Sequence, residues 1–165
     1  MGRITHKFTL IAKVAAPKAS TVQGYPQTRY GRFSCPSVLR NLIARFPHQN
    51  GDLTARGPAQ HLVDLPAEAS HWTRDIQCSL NGAKMFVSVG SVSNVDDADT
   101  TPAEKNRAEV LEFNPDGSDM RMYPYGIRNV VGLVINPQTG ELLGSVNERD
   151  GLGDNVVPDY ITHVQ

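Results

Sequence analysis

A hydrophobic pattern that recurs after 57 residues leaves this chain few architectures. Shifting the sequence by that interval lays Ile76 on Leu133, Cys78 on Ile135, Met85 on Leu142, Phe86 on Leu143, Ser88 on Ser145 and Val89 on Val146. Each copy is a pair of short apolar runs, divided by Asn81-Gly82 in the first and by Gln138-Thr139-Gly140 in the second. That pattern reads as a hairpin. Repetition of a sheet-sized unit at such a period is the signature of propeller blades, where each four-stranded sheet buries its faces only against its neighbours. A β-sandwich with two similar hairpins would give the same matches. The long polar excursion from Ser91 to Ala108 suits a loop over one end of a propeller better than a sandwich crossover.

From Asn50 onward, turn signals at Asn50-Gly51-Asp52, Asn81-Gly82, Asp116-Gly117 and Gln138-Thr139-Gly140 separate short apolar runs. Strands are predicted over Gln60 to Leu65, Asp75 to Ser79, Met85 to Val89, Glu109 to Phe113, Met120 to Tyr125, Gly132 to Ile135, Leu142 to Val146 and Tyr160 to Val164. The 14 Gly and 11 Pro agree with a turn-rich, all-β fold. One blade is expected from about Thr73 to Tyr125, with residues 42–65 in the blade before it and 132–164 supplying three strands of the next. The expectation is a partial β-propeller of antiparallel four-stranded blades. Closure takes at least four blades, so self-association through open blade edges is also expected. Residues 1–42 show no sustained period, and Ala15 to Ser37 carries Pro17, Gly24, Pro26, Gly31 and Pro36. This part is expected to be poorly ordered and separate from a propeller part at 43–165. Within Val38 to Phe46, the Phe46-Pro47 end favours a strand leaving into a turn over one or two helical turns.

The formal net charge is -1, with 16 basic and 17 acidic residues intermixed. No electrostatic footprint for nucleic acid or anionic lipid follows from that, so a small-molecule partner is expected. No run reaches the ~18 apolar residues of a membrane span. Near the start, Arg3 and Lys7 precede the apolar run Phe8 to Ala12, but Lys13 interrupts it and no small-x-small cleavage pattern follows. Cys35 and Cys78 fit neither a zinc motif nor a dense disulfide framework, and are expected to be unpaired thiols with Cys78 in a strand core.

The same shift places His71 on Arg128, each a few residues before the first strand of its blade. A first strand lines the channel, so both side chains are expected at one end of it. A histidine that can take a proton, beside a fixed cation that can stabilise a developing oxyanion, suits polar bond-breaking chemistry. A loop histidine capping backbone and an arginine paired at the surface are the plainer alternative. His6, His48, His61 and His163 have no metal-ligand spacing, and Asp96-Asp97-Ala98-Asp99 lacks the ligand and glycine spacing of a calcium loop. The stretch Asn147 to Asp154 combines charge, glycine and amide, a composition suited to a hard cation.

Four segments carry a family resemblance. They are His71-Trp72-Thr73-Arg74-Asp75 leading into Lys84 to Ser91; Val110 to Ser118; Gly126-Ile127-Arg128-Asn129-Val130-Val131-Gly132-Leu133; and Ser145 to Asp154. In order and spacing they resemble the glucose/sorbosone dehydrogenase family of soluble quinoproteins, most closely its sorbosone dehydrogenase-like branch, over about residues 43–165. The resemblance implies a six-bladed propeller that oxidises a sugar or aldehyde by hydride transfer to pyrroloquinoline quinone, with calcium at the quinone carbonyl. It implies that His71 is the general base, that Arg128, Asn129 and Asn147 contact the cofactor, and that Glu148 and Arg149 bind calcium through backbone carbonyls with Asp154 nearby. A periplasmic or secreted setting is implied as well. The family's Arg-Asn-Pro is Arg128-Asn129-Val130 here, a change at the turn that sets the arginine. The family's later blades have no counterpart before Gln165, so this stretch alone is expected to be inactive. Two rivals are a calcium-dependent lactonase-like propeller, which needs carboxylates and amides converging on a metal, and a non-catalytic propeller fragment.

Overall fold

The computed structural model describes residues 37–39, 42–47, 54–66, 70–72, 74–95, 101–154 and 156–165. Ten strands account for most of their regular structure: β1 (Ser37–Leu39), β2 (Leu42–Arg45), β3 (Gln60–Asp64), β4 (Ile76–Cys78), β5 (Met85–Val89), β6 (Glu109–Phe113), β7 (Arg121–Tyr125), β8 (Val130–Ile135), β9 (Leu142–Val146) and β10 (Tyr160–Val164). They form three antiparallel sheets in chain order, β1-β2-β3, β4-β5-β6-β7 and β8-β9-β10. The fold is a partial β-propeller, with one four-stranded blade between two three-stranded sheets.

The repeat is exact at the level of strand register. Ile76 pairs with Val87, Gln77 with Phe86 and Cys78 with Met85. The positions 57 residues on pair as Leu133 with Gly144, Val134 with Leu143 and Ile135 with Leu142.

Both central strands of the middle blade, Met85–Val89 and Glu109–Phe113, are buried at every position. Their alternate side chains serve different cores. Met85, Val87, Val89, Leu111 and Phe113 pack with Ile43, Val63 and Leu65 of the first sheet and its exit. Phe86 and Val110 join Val130, Leu133, Leu142, Val146 and Val164 of the third. A strand covered on both faces reads as a near-continuous apolar run, as β5 does apart from Ser88, whereas β6 buries Glu109 and Glu112 among its apolar residues. Asp75 links the inner strands of adjacent sheets, because its carboxylate accepts from Ile76 N at 2.8 Å and from Leu133 N at 2.6 Å. Burial pushes that carboxyl up, while the two backbone donors pull it down.

Four details differ from expectation. The stretch Val38 to Phe46 contains a hairpin, since β1 pairs with β2 from Ser37↔Ala44 to Leu39↔Leu42, and the first sheet therefore begins before residue 43. β8 starts at Val130 with an irregular register between Val130 and Gly132, a bulge that periodicity does not reveal. Cys78 is disulfide-bonded and is not a free thiol; a single bridge leaves no spacing pattern to read, and Cys35 lies outside the described residues. The excursion after Ser91 contains a short 3-10 turn, Pro102–Glu104, whose Glu104 is buried. The Asp96 to Asp99 run, His6 and His48 lie outside the described residues.

Glu109 is 1% exposed and its Oε1 has no hydrogen-bond partner, so burial pushes the carboxyl up to about 7. A folded-state value above the unfolded 4.5 means that the native protein binds the extra proton between those values. This group's contribution to stability is therefore full below about pH 4.5 and is lost as pH rises toward 7. Glu109→Gln removes this dependence. The variant is expected to gain stability over wild type above pH 7, by at most about 3 kcal/mol, in denaturant melts at pH 4.5 and 8.

Candidate functional site

One end of the middle and third sheets gathers the segment before β4, the exit of β5, the entry to β8 and the exit of β9. Backbone bonds stitch these together: Ser70 N to Val92 O at 3.1 Å, Ser91 N to Arg128 O at 2.9 Å, and Asn147 N to Asn129 O at 2.9 Å. His71 and Arg128 thus sit at the same end, with Ser91 between them. The half-buried His71 ring faces Ser91, its Nδ1 lying 2.9 Å from Ser91 Oγ and 3.1 Å from Ser91 O. Among the described residues, Nε2 has no hydrogen-bond partner.

Gly90 explains how closely these parts meet. A Cβ at this position would lie 2.5 Å from Asn129 Oδ1 and 2.6 Å from His71 Cβ. Only a residue without a side chain lets the histidine and the asparagine approach from either side. Asn129 is 4% exposed, and its Oδ1 is buried without a partner, which is costly unless something polar arrives there. Gly90→Ala is expected to force the two apart, lowering stability by about 1–3 kcal/mol in denaturant melts and displacing the His71 ring resonances in NMR spectra. Unchanged spectra would count against the juxtaposition.

Arg128 is engaged within the protein. Its side chain is buried, and the guanidinium donates to Asn94 O at 3.1 Å, Asn94 Oδ1 at 2.6 Å, Asn147 O at 3.0 Å, Asn147 Oδ1 at 3.2 Å and Glu148 O at 2.6 Å. Asp150 Oδ2 lies 3.6 Å away. Asn94 completes this clamp by donating to Asp150 O at 2.8 Å and accepting from Asp150 N at 2.9 Å. The loops after β5 and β9, from adjacent blades, are thereby tied by one cation and one amide. Glu104 secures the first loop from behind, since its Oε1 accepts from Val92 N at 2.8 Å and Ser93 N at 3.3 Å.

Of the other sequence candidates, Asn147 belongs to this clamp, and its amide also reaches Asp159 Oδ1 at 3.4 Å. Glu148 N donates to the same carboxylate oxygen at 2.9 Å. Arg149 Nε lies 3.8 Å from Glu148 Oε2. The exposed Asp154 lines an outward recess with Glu148, Asp150 and Asp159, away from the contacts of His71. His61 and His163 form surface pairs, with Asp64 at 2.8 Å and Glu141 at 3.4 Å. Sequence reasoning missed Gly90, Ser91, Asn94 and Glu104. Of these, only Gly90-Ser91 carried a signal, through its place at the end of a quoted family segment.

The residues differ in how they suit the two groups that the resemblance implies. Partnerless Asn129 Oδ1 and the open Nε2 of His71, brought close by the side-chain-free cradle at Gly90, fit a polar ligand that brings a hydrogen-bond donor, such as a substrate hydroxyl or the pyrrole N–H of the quinone. Calcium on Glu148 O does not fit, because the guanidinium already lies 2.6 Å from that oxygen and a divalent cation there would face a like charge. Among the described residues, no group of three or more His, Cys, Asp or Glu side chains is placed to hold a metal.

No family model matches the chain. An uncharacterized protein of Borreliella burgdorferi is 35% identical over 91 residues, which cover 55% of this chain and 23% of that protein. The calcium structure of a Trichoderma reesei carbohydrate-active enzyme of family AA12 superposes with a TM-score of 0.61 at 18% identity, over 77% of this chain and 36% of that one. The iodide structure from Trichoderma reesei and family AA12 gives 0.60 at 19% identity, over 77% and 35%. The holo form of the PQQ domain of pyranose dehydrogenase from Coprinopsis cinerea gives 0.59 at 21% identity, over 75% and 32%. At these identities the likeness is one of fold. The chain spans about a third of each solved neighbour and about a quarter of the Borreliella protein.

Proposed function

We propose that this chain supplies the general base and part of the cofactor-facing end of a quinoprotein dehydrogenase that oxidises a sugar or aldehyde. The observation that carries the reading is the meeting of His71 and Asn129 across Gly90, at the end where the loops of two adjacent blades are clamped together. The fold shared with a PQQ domain supports it. His71 presents Nε2 to take the substrate hydroxyl proton. Asn129 holds its buried amide against Gly90, beside His71. Pyrroloquinoline quinone, when bound, supplies the acceptor for the hydride. Arg128 holds the loops that border the space, and Asn147 anchors the far one. Calcium at the carbonyls of Glu148 and Arg149 would require the guanidinium to leave Glu148 O, so the reading rests on His71 and Asn129 alone.

Trp72 is the only tryptophan, 61% exposed and adjacent to His71, and it provides an optical test. Added pyrroloquinoline quinone should quench its fluorescence saturably, and Asn129→Ala should weaken the titration. Quenching that never saturates, or that Asn129→Ala leaves unchanged, would defeat the proposal.

A further inference from the structure

We infer that Ser91 sets the tautomer of His71, making it a positioning residue for the base assigned above; the inference rests on that assignment for its functional meaning but not for its test. The argument turns on which groups have a proton to give. Ser91 O is a carbonyl and can only accept, so His71 Nδ1, 3.1 Å away, must be the donor to it. The Ser91 hydroxyl has a single proton, and it goes to Ser93 O at 2.7 Å. Toward Nδ1, at 2.9 Å, that hydroxyl is left with lone pairs. Both contacts demand the same thing. The neutral ring carries its proton on Nδ1, and Nε2 holds the lone pair. That is the reverse of the tautomer that dominates free neutral histidine in water.

Ser91 can do this because it is itself held. It is 4% exposed, and its own N–H donates to Arg128 O at 2.9 Å. The next residues, Val92 and Ser93, are fixed through their N–H groups by the buried Glu104 carboxylate. The acceptors around Nδ1 are therefore built into the junction of two blades. A proton acceptor that works through Nε2 needs this arrangement, since a ring with Nε2–H has no lone pair on the side that is free to meet substrate. The hydroxyl holds the ring without adding a negative charge beside it.

The test uses the 165-residue chain labelled with 15N-histidine, with the His71 signals identified by their loss in His71→Gln. Long-range 1H–15N correlation spectra of the neutral ring report which nitrogen is protonated. Wild type should show the Nδ1–H pattern for His71. Ser91→Ala keeps the carbonyl at position 91, so Nδ1–H should remain the main form while the Nε2–H fraction rises above wild type, and Ser91→Thr, which keeps the hydroxyl, should stay close to wild type. An Nε2–H pattern in wild type overturns the inference whatever the chain's activity; a Ser91→Ala spectrum indistinguishable from wild type overturns the part played by the hydroxyl, leaving the carbonyl at position 91 as sufficient by itself. In a protein with the remaining blades, Ser91→Ala should lower kcat about tenfold with KM little changed, the scale of one lost hydrogen bond. Failure of the dehydrogenase reading would instead appear as absence of activity with the Nδ1–H pattern intact.

Discussion

Replacing His71 with alanine, in a protein that joins this chain to the rest of a propeller, is expected to lower dehydrogenase turnover by on the order of a hundredfold or more, the usual scale for a lost general base. Cofactor affinity should hardly change. His71 touches Ser91 and lies against Gly90, and among the described residues it belongs to neither buried apolar cluster. Stability should accordingly fall little, and activity and folding can be separated by a denaturant melt on the same preparation. His71→Gln should be as inactive as the alanine variant, because an amide cannot accept a proton at neutral pH. Full dye-coupled activity in either variant would remove the base from the mechanism.

Arg128→Ala should produce the largest loss of stability among single changes at this end. The buried guanidinium serves Asn94, Asn147 and Glu148 together, so truncation strips a donor from several half-buried acceptors at once, of which Asn94 Oδ1 still accepts from Asp150 N. A cost of about 3–5 kcal/mol is expected, measured from the shift of the unfolding midpoint in guanidinium chloride. Amide exchange should accelerate at residues 91–95 and 147–150 before it does so in β5 or β6. Arg128→Lys should recover little, because one ammonium cannot bridge Asn94 on one loop and the carbonyls of the other as a planar fork does. In the larger protein, quinone affinity and turnover should both fall, through disordered loops. Local exchange rates like those of wild type would show that the clamp does not hold the loops.

The strands were legible in the sequence to within a residue or two, and the reason is local. β5, β6, β9 and β10 begin and end where the apolar runs do, because each run is bounded by turn residues and side-chain direction alternates with a period of two. The 57-residue shift also carried the register of one hairpin onto the other, since equal spacing around equivalent turns leads to equal pairing. What lay beyond sequence was anything set by one residue meeting a distant one. The β1–β2 hairpin was obscured because its two strands are separated by two residues and too short for a period to develop.

The candidate site divides along the same line. By itself the sequence determined that His71 and Arg128 occupy equivalent places in successive blades, and so share an end, because a repeat transmits position. Only the tertiary structure decided what each does there. Arg128 is indistinguishable in sequence from a cation waiting for an anionic ligand, yet its acceptors are mostly backbone carbonyls, which every residue possesses and no motif records. His71 likewise names a titratable ring but not its tautomer, which depends on a carbonyl and a hydroxyl 20 residues away at Ser91. Residue type and spacing carry the chemistry that is available. Which nitrogen holds the proton, and which carbonyls surround the guanidinium, follow from directional bonds made only after two sheets have packed.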